Sequence, residues 1–365
     1  MIKIGIDVRE LEKGKLAGIG RFLIEFLRYV SSRQLIADYQ MEFVLFGNQN
    51  TDFSNNVLKD YEKIVVKEGI TLFWDQIKLK NALKKNDIAL FFSPYYKVPL
   101  FSKIPSIISL FDLIYFTTEP YKNQLKNKFY IKNFIKLAGK KAKKILTISH
   151  SAKNDLIQLL NLPKDKIEVV YLSISENFYR RDLQETESVK KKYNIDKKYI
   201  LYVGNSNPHK NLSRLVEAFN LLPDDVKNKY SLVIAGVGGF VSNHLPSTVY
   251  RLPFVSDEDL PALYSGADLF VFPSLYEGFG LPPLEAMACG CPVVSSNTSS
   301  MPEILGDTCL YFNPYNIEEI GLKIIELIDN NTLKKEYINK GMERVKMFSA
   351  AKMTEKLIEI FKNYG

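Results

Sequence analysis

Cysteine is scarce. There are three in 365 residues, Cys289, Cys291 and Cys309. An odd number, set in apolar strand and helix contexts, excludes a disulfide framework and is expected of reduced thiols in a cytosol. Cys289 and Cys291 form C-x-C, a poor metal signal without matching histidines, so buried structural thiols are the expectation. No uninterrupted apolar run reaches about 18 residues, which excludes a spanning helix. The chain opens on 2-IKIGIDV-8, a strand pattern rather than a leader with a basic region and an apolar core. Repeats of solenoid length and low-complexity tracts are missing. The first loop does not fit G-x-G-x-x-G, and no acidic residue stands where a dinucleotide ribose needs one, which argues against a nicotinamide enzyme. No recognised nucleic-acid motif is present, so nucleic acid is not expected as a partner.

What is present is an ordinary globular composition, 46% hydrophobic and 25% charged, in a chain long enough for about two domains. Short apolar runs alternate with helical patterns. Candidate strands are 2–8, 42–46, 87–92, 106–110, 144–149 and 167–172, then 199–204, 231–236, 267–273 and 292–296. Runs rich in Val, Ile and Phe on both faces, separated by helices, argue for parallel sheets covered on both sides, an α/β fold with a doubly wound sheet in each half. The polar stretch 176-ENFYRRDLQETESVKKKYNIDKK-198 is the linker candidate. The expected division is 1–175 for a first domain and 176–347 for a second. A helical tail, 348–365, is expected to cross back to the first.

The net charge is +8, and much of the lysine falls in 122-KNQLKNKFYIKNFIKLAGKKAKK-144. Phe129, Ile131, Phe134, Ile135 and Leu137 interleave there with Lys126, Lys128, Lys132, Lys136, Lys140 and Lys141. Two readings stand: a surface helix that packs its apolar side inward, or a helix lying on an anionic membrane. The second would make the protein peripheral on the inner face of the cell membrane.

In open α/β sheets ligands bind at the carboxyl ends of strands, so the loops after strands carry the interest. In 277-EGFGLPPLEAMACG-290 two glutamates sit eight residues apart. Pro282 and Pro283 fit the first turn of a helix and Gly290 its end. That expects Glu277 in the loop and Glu285 in the first turn, with the amides of Phe279, Gly280 and Leu281 facing an anion. A nucleotide sugar, with phosphates in its middle and hydroxyls at both ends, suits the set. Glu285 would accept from ribose hydroxyls and Glu277 from the sugar, although a helix-terminal glutamate can also simply complement the dipole. In 204-GNSNPHKN-211, Lys210 follows a strand end and can act as a point charge on a diphosphate. Gly14, Gly18 and Gly20 would let backbone approach a phosphate or an acceptor, or make a bare turn. Asp257-Glu258-Asp259 has a D-x-D pattern. Ser256 and Asp259 read instead as a capping box, with no metal needed.

The run 268-DLFVFPSLYEGFGLPPLEAMACGCPVVSSNTSSMPEILGD-307, with its E-x(7)-E from Glu277 to Glu285, strongly resembles family 4 of the retaining glycosyltransferases. So do 17-AGIGRF-22, 202-YVGNSNPHKNLSRLVEAF-219 and 144-KILTISHSAKNDL-156. The resemblance covers nearly the whole chain. It implies the GT-B fold, two Rossmann-like domains facing a cleft, with acceptor on the first and donor on the second. It implies a metal-independent, retaining hexosyltransferase without a cofactor, moving a sugar from a UDP- or GDP-sugar to a glycan or lipid-linked acceptor in surface polysaccharide or lipopolysaccharide synthesis. The alternative is a non-catalytic sugar-nucleotide-binding or scaffold protein on the same fold. The resemblance gives Lys210 the diphosphate, with the amides of Phe279, Gly280 and Leu281. Glu285 takes the ribose, Glu277 the transferred sugar, and Arg251 and Leu252 the base. Gly18, Gly20, Asn205 and His209 complete the donor-binding set, and Asp112 joins Glu277 and Lys210 as catalytic. Two positions depart from the family. Asn205 stands where many members have arginine, with His209 as a partial replacement. Phe111-Asp112 replaces His-Asp, so the histidine commonly associated with the reacting sugar is absent, and the Phe111 ring either lines the site or is core.

Overall fold

The computed structural model describes residues 2–13, 18–32, 40–118, 128–238 and 246–364. The chain divides into two compact units. The first comprises Met1–Leu113, Leu125–Ser173 and Ser349–Gly365, and the second Ile114–Gln124 and Ile174–Phe348. Gly14, Lys126 and the rest of 119–127 lie outside the described residues, as do the side chains of Lys128 and Phe129.

Among the described residues the first unit holds seven strands: β1 (Ile2–Asp7), β2 (Met41–Gly47), β3 (Glu62–Val65), β4 (Leu90–Ser93), β5 (Ser106–Ser109), β6 (Lys144–Thr147) and β7 (Ile167–Val169). They form one sheet in the order β3-β2-β1-β4-β5-β6-β7, every pairing parallel. The second unit holds β8 (Lys198–Val203), β9 (Tyr230–Ala235), β10 (Val249–Leu252), β11 (Leu269–Phe272), β12 (Val293–Ser296) and β13 (Leu310–Phe312). Their order is β10-β9-β8-β11-β12-β13, again all parallel. Each sheet reverses direction once, between β1 and β4 in the first and between β8 and β11 in the second. Such reversals open a crevice at the carboxyl ends of the two strands involved.

The central strands are apolar on both faces because helices cover both, and β4, β9, β11 and β12 are buried throughout. β3, β10 and β13 escaped the sequence reading. β3 and β10 are edge strands with half-wet, polar-containing sequences, and β13 is a three-residue edge strand. The supposed linker is corrected too. Leu183–Lys192 is a helix, closed at its start by a reciprocal capping box between Asp182 and Glu185. Val189 and Thr186 bury its inner face, so its charged outer face had masked an amphipathic helix.

Helix Ala350–Lys362, started by Ser349 accepting from Lys352 N–H, packs in the first unit. Its Phe361 meets Phe26 at 6.0 Å and Phe92 at 5.2 Å between ring centroids. Truncating a ring so buried typically costs about 3–5 kcal/mol. All three cysteines are buried and free. Burial pushes the Cys289 and Cys309 thiols up to about 12, which keeps them protonated and unreactive.

Candidate active site

The second unit's crevice is built by two loops. The loop after β8 ends in the tight turn Pro208–Lys210 and the loop after β11 runs from Pro273 to Gly280. They are tied together by backbone, the Leu275 N–H donating to the His209 carbonyl at 2.7 Å. Asn211 clamps them further. It sits in the left-handed region at φ 58°, fully enclosed, and its amide donates to the carbonyls of Pro273 at 3.0 Å and Pro314 at 2.8 Å. Asparagine tolerates that backbone better than other side chains do.

The result is an ion pair. Lys210 Nζ lies 2.6 Å from Glu277 Oε1, both side chains about one-seventh exposed, and 5.5 Å over the ring of Phe272. The segment after β12 buttresses Glu277. Its N–H donates to Ser299 Oγ at 2.9 Å, and Ser300 Oγ lies 2.9 Å from the carbonyls of both Glu277 and Phe279. Phe279 is itself buried edge-on against Phe348. The loop then turns at Gly280, where φ is 111° and a side chain would run into the Met301 thioether. Helix Leu281–Ala288 begins there.

Two expectations change in this region. Glu285 is the fifth residue of the helix, not in its first turn, because Gly280 caps it and Leu281, Pro282 and Pro283 fill that turn. There it is buried and accepts from Tyr264 Oη at 3.0 Å. Burial beside Glu285 holds the Tyr264 phenol well above its ordinary range, so it stays a donor. The two prolines also remove two of the N–H groups that a helix start usually offers. An anion there would meet the amides of Phe279, Gly280 and Leu281, not a full turn of donors. Finally, the Ser256–Asp259 capping box is not reciprocal. Ser256 Oγ does accept from the Asp259 N–H at 3.2 Å, but the Asp259 carboxylate is taken by Lys192 Nζ at 2.5 Å and Tyr193 Oη at 2.7 Å.

His209 is buried, and burial pushes it down to about 4, with Glu277 opposing and Lys210 assisting. It is neutral near neutrality, so it does not replace the charge of an arginine. Asn205 is exposed and accepts from the Asn207 N–H at 3.0 Å, holding the turn. Arg251 is exposed at the end of β10, and Leu252 is buried beside it.

The remaining predicted residues belong to the first unit. Gly18 and Gly20 form the start of helix Gly18–Ser32. Phe111 and Asp112 are half-buried beyond the end of β5. Phe111 is not enclosed core. Its ring stands edge-on to Phe22 at 5.3 Å, because the strand stops at Ser109.

The first unit's crevice holds a group that the sequence reading missed. Arg9 Nη2 lies 2.6 Å from Asp7 and 2.8 Å from Asp75, and the guanidinium lies 3.7 Å over Trp74. Burial works against the Arg9 charge, but Asp7 and Asp75 outweigh it and hold the guanidinium above its ordinary range. Burial pushes Asp75 up to about 6 against the pull of Arg9. A cavity of about 340 Å³ opens beside them, lined among others by Glu10, Asn48, Tyr95 and Lys97. The D-x-R spacing just after a first strand was the available signal. Tyr264, Ser299 and Asn211 were also missed, and nothing local marked them.

Two family models match the chain: "Glycosyltransferase Family 4" over residues 18–178 and "Glycosyl transferases group 1" over residues 184–344. The chain is 34% identical to an O-antigen chain mannosyltransferase B of Escherichia coli over 267 residues, 70% of each chain. It is 32% identical to the serotype-specific mannosyltransferase WbdA of Escherichia coli over 237 residues, 60% of this chain but 29% of that longer one. Among solved structures it superposes on Anabaena HepE, crystallised with UDP, with a TM-score of 0.78 over the full length of both and 16% identity. Two parallel-sheet units with this topology and these matches place the chain in glycosyltransferase family 4, the group 1 glycosyl transferases, with the GT-B fold.

Proposed function

We propose that the chain is a retaining transferase that moves a hexose, mannose by the names of two relatives, from a nucleoside-diphosphate sugar to a growing cell-surface glycan. The observation that carries this reading is the Lys210–Glu277 pair at the second unit's crevice. A diphosphate entering there offers Lys210 more charge than one carboxylate does, and Glu277 is released toward the sugar hydroxyls. As the anomeric C–O bond breaks, its electron pair stays on the diphosphate. Lys210 and the Phe279, Gly280 and Leu281 amides then stabilise more charge than in the ground state, which is what accelerates the step. Retention puts the new bond on the face the diphosphate leaves.

Glu285, oriented by Tyr264, accepts from the ribose, and Arg251 with Leu252 flanks the base. Asn205 and His209 shape the phosphate turn as neutral groups. Gly18 and Gly20 let backbone approach a phosphate or an acceptor, and Asp112 takes the acceptor proton. The diphosphate charge is met by side chains and amides, so no resident metal is needed, and EDTA is expected to leave the rate unchanged. A cytoplasmic protein, peripheral on the membrane, suits a lipid-linked acceptor. Among the described residues no helix is long and apolar enough to cross a membrane.

The test is a panel of UDP- and GDP-sugars, read by thermal shift and by slow hydrolysis to free sugar. A GDP-hexose that both stabilises the protein and is hydrolysed supports the reading. Binding without hydrolysis or transfer would return the chain to the scaffold reading, for which Phe111 in place of histidine is the argument. Rescue of an EDTA-killed enzyme by Mg²⁺ or Mn²⁺ would overturn metal independence.

A further inference from the structure

The first unit carries an apolar surface that its own core does not use. After β3 the chain runs through Thr71–Phe73 into a wide turn, Trp74–Lys78, and on into helix Leu79–Lys85. Trp74 and Leu79 are fully buried and Asp75 turns inward beside Trp74, while the apolar residues around them lie at the surface. Ile70 is 75% exposed, Leu72, Phe73 and Ile77 are about half exposed, and so is Val65 at the end of β3. Phe101, 76% exposed, joins the same surface. The segment before it is fastened to Gln76, which donates to the Val98 carbonyl at 2.9 Å and accepts from the Leu100 N–H at 2.8 Å. Isolated exposed apolar side chains are ordinary, but a cluster of six in one neighbourhood is the mark of an interaction surface.

The charge around the cluster is of one sign. Its acids turn inward, Asp75 to Arg9 and Glu68 to Asn48 and Thr71. Its lysines stay at the rim. Lys78 lies 6.0 Å over the Phe73 ring and donates to the Lys67 carbonyl at 2.8 Å, and Lys103 is exposed two residues after Phe101. Lys141 donates to the Ser102 carbonyl at 2.8 Å, which brings the end of the basic helix Lys128–Lys141 beside Phe101. That helix buries Ile135 and Ala138, so part of its apolar side is spent on the core.

We propose that this surface docks the first unit on an anionic lipid bilayer, with Ile70, Leu72, Phe73 and Phe101 entering the interface and Lys67, Lys78, Lys103 and Lys141 meeting headgroups. Apolar tips ringed by lysine are the composition of interfacial anchors, each lysine adding attraction to anionic lipid. A second copy of the chain, seated symmetrically, would oppose lysine to lysine. The inference rests on the reading above only for the acceptor's being borne on lipid, and docking is measured without turnover, so either can fail alone.

The test is flotation of the full chain with phosphatidylcholine vesicles, with and without phosphatidylglycerol. The variants are Ile70→Ser/Phe73→Ser/Phe101→Ser and, as control, Lys132→Gln/Lys136→Gln. Trp74 is the single tryptophan and adjoins Phe73, so quenching by brominated lipid reports this face. The expected result is binding to the anionic vesicles, quenching of Trp74, and a fall of about a hundredfold or more in partition for the triple variant at unchanged Tm. The control is expected to lose less than the triple variant. Wild-type chain that floats with neither vesicle, a triple variant that floats as well as wild type, or binding without quenching would each overturn the proposal. So would a triple variant that turns a dimer into a monomer while binding vesicles unchanged, since a second copy would then cover the surface.

Discussion

The two units place a cation at the same topological position and treat it in opposite ways. In the first, Arg9 is locked between Asp7 and Asp75 and roofed by Trp74. In the second, Lys210 faces one carboxylate, Glu277. A buried charge with two opposite partners is already spent, and a diphosphate would have to displace both. A charge with one partner can be shared with an incoming anion. The same crevice in the same kind of sheet thus holds a spent cation in one unit and a cation with charge left to share in the other. The difference lies in the charge left over, not in the fold.

The largest expected effect tests the structural half of that contrast. Arg9→Met leaves two buried carboxylates without their cation and should cost about 3–5 kcal/mol. Thermal denaturation should show the first unit melting roughly 10 °C lower. A Tm within a few degrees of wild type would mean Arg9 is not spent on the fold. Next comes its counterpart. Lys210→Ala should lower turnover by roughly two to three orders of magnitude while leaving the melting temperature nearly unchanged. Full activity in a folded variant would remove Lys210 from the chemistry.

A pH scan separates the units again. Burial holds His209 at about 4, below its ordinary value of 6.5. Between those values the unfolded chain binds the extra proton, so stability falls as pH drops from about 6.5 to 4, by about 3 kcal/mol. Asp75 is shifted the other way, to about 6 from 3.8, so its burial costs stability at neutral pH and that cost is relieved as pH falls through the same window. His209→Gln should therefore flatten the acid-side loss in the second unit. Unchanged pH dependence in that variant would show that His209 is not the group responsible. A smaller effect is expected of Tyr264→Phe, which removes one hydrogen bond worth about 1 kcal/mol from Glu285. The donor KM should rise severalfold with kcat held. A fall in kcat alone would move Glu285 from the ribose to the reacting sugar. Smallest is Phe111→His. The half-buried ring has room for the change, and preference between 6-deoxy and 6-hydroxy donors should shift a few-fold in kcat/KM. A fixed preference with lowered stability would make Phe111 a packing residue only.

Much of the architecture was legible in advance, because central parallel strands write themselves as unbroken Val, Ile and Phe runs. The ten runs read as strands are strands, with ends shifted by up to three residues in either direction. β3, β10 and β13 were not legible, since an edge strand needs only half an apolar pattern. Leu183–Lys192 was lost for a related reason, its lysines and glutamates outnumbering the few residues it buries. At the site, Lys210, Glu277 and Glu285 stood out because glycine and proline frame them. Tyr264, Ser299 and Asn211 did not, for their roles are set by partners far off in the chain. Arg9 was not legible because the two carboxylates that hold it come from residues 7 and 75, which only the fold brings together.

Asn211 has a consequence for the order in which the protein folds. Its amide binds carbonyls 62 and 103 residues further along, at Pro273 and Pro314. Contacts of such separation form late, after the closure of the loops between them. β8 and β9 can pair early, being neighbours in sequence as well as in the sheet. The loop carrying Lys210 gains its ties to Pro273 and Leu275 first, and its last one only when the chain has been made through residue 314. During synthesis, then, the second sheet is largely assembled before its Lys210 loop has its final fastening. A nascent chain that stops short of Pro314 would have most of the sheet without the clamp that sets the cation in place.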